Sequence, residues 1–379
     1  MFSNHFFRWT EQLKDSGHEI YWIDIFDSNT SVKKIDFVHQ KIGWKNKINY
    51  PGRYKIKNNF PVLYRLINKF NQRKLIDFFE SQLEEIKPDV VQSFILQSAA
   101  YPILDIMLRH PEIKWVYSAW GNDLYYRQQN ELDLKKIKEV LPYFDYMFSD
   151  CERDFNIAEN NGFKGNYLGT FPTGGGYEFE VYNQYIKSFE HKNIILIKGY
   201  QGKLGRCNVI LEAISSLRSN LSDFKIVVFG ANKNVLEFCR TRDLLNWNNF
   251  VLLQNITQVE VLKLMGEAKI YIGNSISDGM PNTLLEAIIM GAYPIQSNPG
   301  GATKEYIQNG INGLLIENPE DINEIRNLIL EAIHNDRNLE KAIDYNFEII
   351  KPKLEREKVK KQVIEKYLLI EKQLKYRRK

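Results

Sequence analysis

The sequence predicts an α/β protein built from two doubly wound parallel sheets, each covered by helices. Two observations carry this. Strand-like apolar runs alternate with amphipathic, helix-like stretches, and the alternation restarts after residue 190. A third agrees with them: 379 residues exceed the ~250–300 at which a single core stops growing.

In the first half, 19–26, 90–96, 115–120 and 146–149 read as strands, with helices at 6–15 and 75–85. In the second, strands fit 193–198, 225–229, 250–253, 270–273, 293–296 and 313–316. Helices fit 209–217, 234–239, 258–266, 282–290, 304–308 and 322–334. The break falls within 170–192, where Pro172 and Gly174-Gly175-Gly176 interrupt any regular element. This gives an N-terminal domain over 1–185, a second over 186–350, and a basic helix over 351–379 that crosses back to the first. A doubly wound domain ordinarily opens on a buried strand that feeds its first helix. Here Met1 and Phe2 alone precede the loop Ser3-Asn4-His5, so the first strand is expected to be missing or the reading frame to start short of it.

Composition narrows the function. The apolar and charged fractions, 44% and 26%, are those of a folded soluble domain. A net charge of +4 makes no general case for nucleic acid. No apolar run reaches the ~18 residues of a spanning helix, and no signal peptide is apparent, which predicts a cytoplasmic protein, at most peripheral at the inner face of the membrane. Cys151, Cys207 and Cys239 are widely spaced and read as buried thiols.

The most informative stretch is 275–287, Ser-Ile-Ser-Asp-Gly-Met-Pro-Asn-Thr-Leu-Leu-Glu-Ala. It leaves an apolar strand and opens a helix at Pro281, a residue favoured in the first turn. Met280 has no oxygen with which to cap that turn, and Gly279 lets the backbone come close, so the helix start suits an anion such as a sugar phosphate. Asp278 and Glu286 flank it. Each also has a plainer reading, Asp278 as a cap and Glu286 as an exposed helix residue. A second loop, Lys198-Gly199-Tyr200-Gln201-Gly202-Lys203-Leu204-Gly205-Arg206, offers glycines and cations between a strand and a helix, suited to phosphate.

These residues resemble the GT-B glycosyltransferases, specifically the retaining family 4 enzymes (glycosyl transferases group 1). The match runs through Asp278-Gly279-Met280-Pro281, Glu286-Ala287, Gly291, Gly300-Gly301, Glu305, Gly310 and Asn312-Gly313. It is dense over 250–316, looser over 191–250 and weak in the first half. The resemblance implies two Rossmann-like domains facing across a cleft. It also implies transfer of a sugar, with retention, from a nucleotide-sugar donor to a glycan or lipid-linked acceptor in cell-surface polysaccharide biosynthesis. The family's first carboxylate, which faces the sugar, is Glu; Asp278 stands there with about 1.5 Å less reach. Glu286 takes the ribose. Arg206, then Lys203, then Lys198 meet the leaving diphosphate, with Gly199, Gly279, Met280, Pro281 and Asn282 around the donor. Asn255 and Ile256 follow a strand end and suit base recognition.

On the acceptor side, Trp120-Gly121-Asn122-Asp123 resembles a segment of some relatives and makes Asp123 a cleft residue, with a turn or cap as its plainer reading. His5, beside Arg8 and Trp9, faces the same cleft. No metal and no cofactor beyond the nucleotide sugar is expected. A nucleotide-sugar 2-epimerase of the same fold, or a nucleotide-sugar-binding protein without catalysis, are the alternatives. Finally, 53–74 carries seven Lys or Arg, no acidic residue and interleaved Phe60, Leu63, Leu66 and Phe70, a pattern that suits an anionic membrane.

Overall fold

The computed structural model describes residues 3–377. Met1 and Phe2, from which a missing first strand was read, lie outside the described residues, as do the last two residues of the basic tail. Among the described residues twelve strands, every sheet pairing parallel, form three sheets. In the first half they are β1 (Tyr21–Ile23), β2 (His39–Lys41), β3 (Val90–Phe94), β4 (Lys114–Ala119), β5 (Tyr146–Ser149) and β6 (Asn166–Thr170). In the second they are β7 (Ile194–Lys198), β8 (Lys225–Phe229), β9 (Phe250–Leu253), β10 (Ala268–Gly273), β11 (Tyr293–Ser297) and β12 (Leu314–Ile316).

The second sheet runs β12-β11-β10-β7-β8-β9. Counted within its half, that order places the first strand centrally, with the succession reversing between β7 and β10. In open parallel sheets the crevice beyond the strand ends at such a reversal is where ligands bind. Strand alternation divides the core cleanly. Ile195 and Ile197 face the helices Cys207–Ser215 and Ile322–Ile333, while Ile194 and Leu196 face Gln258–Glu267 and Asn282–Ile289.

The first half divides differently. β3-β4-β5-β6 form one sheet and β1-β2 a separate pair. The sequence does not signal β2, which is polar and partly exposed. Nor does it signal β6, where Gly169 at φ 123° accompanies a register shift against β5. The C-terminal helix Arg356–Arg377 lies across this half. Val359, Val363 and Ile370 share a core with Phe6, Trp9 and Phe148, and the Tyr367 hydroxyl donates to Gln92 Oε1 at 2.7 Å. Leu368 and Leu369, apolar residues of the same turn, stay 39% and 42% exposed; only Ile370 packs.

The halves meet through polar contacts of graded burial. Glu305 Oε2 and Oε1 accept the backbone N–H groups of Glu152 and Arg153 at 2.9 and 3.1 Å. They thereby cap the helix Glu152–Asn160, whose own N-cap, Cys151, supplies no side-chain bond. Arg153 Nη1 donates to Pro299 O at 2.7 Å, with its guanidinium 4.4 Å from the Tyr125 ring centroid.

Candidate active site

The loops that leave β7 and β10 meet at the reversal of the second sheet. Gly199 lies buried there because a Cβ would come within 2.7 Å of Phe229 O, so the loop packs backbone to backbone on the end of β8. From the end of β7, Lys198 reaches Asp278, its Nζ 4.0 Å from Oδ2 with both side chains about one-third exposed. Asn122, Tyr200, Ser275 and Ser277 complete a cavity of about 110 Å³ around the pair. Ser277 Oγ donates to Asn122 Oδ1, so the cavity is shared by the two halves.

Pro281 is not the first helical residue. It occupies the N-cap of Asn282–Ile289, and no side chain caps that helix. The start therefore keeps free N–H capacity and a favourable dipole end toward the cleft. Gly279 allows the close approach of the halves, since a Cβ would lie 2.2 Å from Asp150 Oδ2. Met280 is 3% exposed with its side chain in the core, and Pro281 is also buried. Asn282 Nδ2 donates to Thr173 Oγ1 at 2.8 Å, and its Oδ1 accepts from Tyr177. The Met280 side chain is thus taken up by packing and that of Asn282 by the linker, which leaves their backbone N–H groups as what they offer a donor.

Glu286 is buried, and Gln258 Nε2 donates to its Oε1 at 2.8 Å. Burial raises its pKa, opposed by the Gln258 bond and by the fields of Arg8 and Lys198. Gln258 opens the helix that follows β9, so the loop bearing exposed Asn255 and half-buried Ile256 is tied to this carboxylate. Gln258 carries no signal in the sequence, because its partner lies 28 residues away.

The three cations have different partners. Arg206 is held in its own loop, its Nε paired with Glu320 and its Nη1 donating to Gly202 O and Gly205 O, both at 3.0 Å. Its guanidinium braces the loop. Lys203 Nζ sits 5.0 Å from the centroid of Tyr126 in the first half. Lys198, ranked third by sequence, is the one beside Asp278.

Across the cleft, His5 is solvent-exposed on the first turn of the helix Asn4–Glu11. Its pKa is lowered, first by burial of the ring's surroundings and then by Arg8, with Asp278 pulling the other way and Lys198 adding to the fall. It therefore sits in the field of the Lys198–Asp278 pair. Arg8, one turn on, is buried, and its Nη2 donates to Gly176 O at 2.6 Å.

Two acceptor-side expectations are corrected. Trp120 is 8% exposed and packs on Phe94 and Trp9, ring centroids 4.7 and 5.8 Å away, as part of the core. Asp123 is turned inward. Its Oδ2 accepts from Leu96 N at 3.1 Å and from the Tyr117 hydroxyl at 2.5 Å, and burial raises its pKa to about 7. It fixes the turn after β3, where Ile95 takes φ 70°, a conformation that β-branched residues seldom adopt.

The structure also gathers Asp150, Cys151 and Asp154, their ligand-type atoms within 4.8 Å of one another, a grouping the sequence reading did not pick out. Arg153 donates twice to Asp154 Oδ1, and Gly121 N to Asp150 Oδ2. Burial, then Asp154, holds the Asp150 carboxyl well above the usual carboxylate range. All three cysteines are free and buried.

No curated protein matches the sequence. Among solved structures, sucrose-phosphate synthase from Thermosynechococcus elongatus is similar at TM-score 0.70 and 13% identity, over 95% of this chain and 91% of that one. HepE from Anabaena, solved with UDP and glucose, gives 0.63 and 11%, over 96% and 95%. TarM from S. aureus gives 0.62 and 16%; the match covers 80% of this chain and spans only 60% of TarM. Residues 179–348 match the family described as glycosyl transferases group 1. The fold is the two-domain GT-B fold, and residues 179–348 within it are similar to the glycosyl transferases group 1 domain.

Proposed function

We propose that the chain transfers a sugar from a nucleotide-sugar donor to a glycan or lipid-linked acceptor, with retention of configuration, in cell-surface polysaccharide biosynthesis. The observation that carries this reading is the meeting of Lys198, Asp278 and an uncapped helix start at the strand-order reversal, with buried Glu286 one turn further. Lys198, assisted by Lys203 and the backbone N–H groups of the helix start, meets the diphosphate as it leaves. Glu286, held by Gln258, takes the ribose hydroxyls. Asp278 and the backbone of Gly279 face the sugar, and His5 approaches from the acceptor side. No metal is required where cations and N–H groups carry the leaving charge. A cavity of about 110 Å³ is smaller than the ~300 Å³ of an ordinary ligand site, so the halves part to admit the donor.

TarM and HepE were solved with UDP, which makes uridine nucleotides the first donors to try. The test is donor turnover and product analysis with and without acceptors. Transfer with retained configuration is expected. Epimerised nucleotide sugar in the absence of any acceptor would replace this reading with the epimerase, and tight UDP binding without turnover would replace it with a binding protein.

The helices Arg53–Asn59 and Pro61–Asn71 favour a membrane-side acceptor. No residue of the second is buried, and Phe60, Val62, Leu66 and Phe70 are 56–74% exposed among the seven cations of 53–74. Each cation near an anionic leaflet adds ~1 kcal/mol before screening. No helix among the described residues is long and apolar enough to cross a membrane, so attachment would be peripheral. Flotation with anionic vesicles should show binding at low salt that is lost when Lys55, Lys57, Arg65 and Lys69 become Glu.

A further inference from the structure

At the end of β5 (Tyr146–Ser149) the chain turns at once into the helix Glu152–Asn160. Asp150 and Cys151 make the turn and Asp154 stands in the first turn of the helix, so a short connection brings three side chains to one point. One ligand-type atom from each lies within 4.8 Å of the other two. Cys151 and Asp154 are fully buried, and Asp150 is 3% exposed. Two oxygens of this group, Asp150 Oδ1 and Asp154 Oδ2, are buried with no hydrogen-bond partner among the described residues. The Cys151 thiol beside them is a weak donor.

The charges are also unbalanced. Two buried carboxyls share one buried cation, Arg153, which donates twice to Asp154 Oδ1 and once to Pro299 O. Glu305, the carboxylate that reaches this turn from the second half, is already engaged by the N–H groups of Glu152 and Arg153. Asp150 Oδ2 accepts the Gly121 N–H at 3.2 Å. With both carboxyls ionised, one negative charge is left in the interior, where an uncompensated charge is costly. A proton shared by the carboxyls would answer that charge and leave the sulfur idle. A divalent ion uses all three atoms, and with Cys151 as thiolate its two charges and that of Arg153 balance three negative ligands.

We infer that Asp150, Cys151 and Asp154 form a site for a divalent metal ion, zinc by its ligand chemistry. Magnesium and calcium take oxygen ligands, whereas one sulfur with two carboxylate oxygens suits zinc. Three protein ligands leave the fourth tetrahedral position to a water. Ligand atoms on tetrahedral zinc stand roughly 3.3–3.8 Å apart, so side-chain shifts of roughly 1 Å bring these three to bonding distance. Asp154 would then bridge the ion and Arg153, an outer contact of the kind that orients a ligating carboxylate. None of the three residues lines the cavity around Lys198 and Asp278, so the ion acts on the fold and not on transfer. It fixes the turn that carries Arg153 to Pro299 and to the face of Tyr125.

The test titrates the full chain, first treated with a chelator, with zinc chloride and counts the metal retained after desalting. One equivalent per chain is expected. Cobalt(II) in the same place should show the near-ultraviolet band of a thiolate–cobalt bond. Cys151→Ser and Asp150→Asn should each weaken zinc binding at least ~10-fold, the least expected even for loss of an outer contact. Cys207→Ser and Cys239→Ser, at the buried thiols of the second half, should leave binding and spectrum unchanged. No retained equivalent, a cobalt spectrum without the thiolate band, or binding that survives both Cys151→Ser and Asp150→Asn would overturn the site and leave the shared proton in its place. Should the variants not fold, amide exchange of the unaltered chain decides. Zinc should slow exchange over 150–155 and leave 207–215 unchanged, and no slowing over 150–155 would overturn the inference.

Discussion

In the second half a buried central strand, β7, carries Lys198 to the point where strand order reverses, and Asp278 arrives from the neighbouring β10. In the first half the residues around the strand ends are spent on structure. Asp123 fixes a turn, Trp120 fills the core, and Asp150 abuts the Gly279 backbone. The contrast teaches that opposed charges are held at a strand end where a central strand fixes the origin of the loop that follows it. The first half supplies its own packing and a few contacts to the second, such as Asn122 with Ser277.

The largest test of that contrast is catalytic. Lys198→Ala or Glu286→Ala should each lower donor turnover by ~10²–10³-fold, the usual cost of one preorganised contact to developing charge. Unchanged rates in both would move the chemistry out of the second half. Next comes the interior of the first half. The Asp123 carboxyl, lifted by burial to about 7, holds its proton more tightly folded than unfolded. Its stabilising contribution is full below about pH 4 and is lost as pH rises through about 7, on the order of 4 kcal/mol at most. Asp123→Asn should flatten stability over that window, as read by denaturant titrations at several pH values.

Between the halves, Gly279→Ala drives a Cβ against Asp150 and should cost about 1–3 kcal/mol. Combining it with Asp150→Ala should recover much of that loss, and a double-mutant cycle measures the coupling. Glu305→Ala removes a helix cap supplied by the opposite half, costing about 1 kcal/mol in thermal unfolding. The smallest effect is expected for Arg206→Ala, a change of less than about tenfold in turnover, because that guanidinium is held by Glu320 and its own loop.

The second sheet was legible because its strands are near-continuous apolar runs, such as Ile194–Lys198, separated by clear breakers. Its order was not, since pairing is decided between segments far apart in the chain. The carboxylate pair was legible because Asp278 and Glu286 belong to one loop and helix, whose spacing the sequence displays. The partners of the cations were not. Glu320, which captures Arg206, lies 114 residues away, and only the fold turns Lys198 toward Asp278. Trp120 and Asp123 misled for a related reason. Polar and aromatic residues at a strand end look alike whether they face a cleft or, as with the Asp123–Tyr117 bond, turn inward.

The C-terminal helix Arg356–Arg377 sets a timetable for synthesis. Val359, Val363 and Ile370 seal a core begun by Phe6 and Trp9, more than 340 residues earlier. At ~5–20 residues per second a ribosome needs roughly 20–70 s to deliver that seal. Throughout that interval the first half stands with an aromatic face bare, while the second half, closed on its own strands and helices, is ready sooner. The nascent chain thus carries its most exposed surface in the part made first, and the lifetime of that surface is governed by the distance along the message to the codons of the last helix.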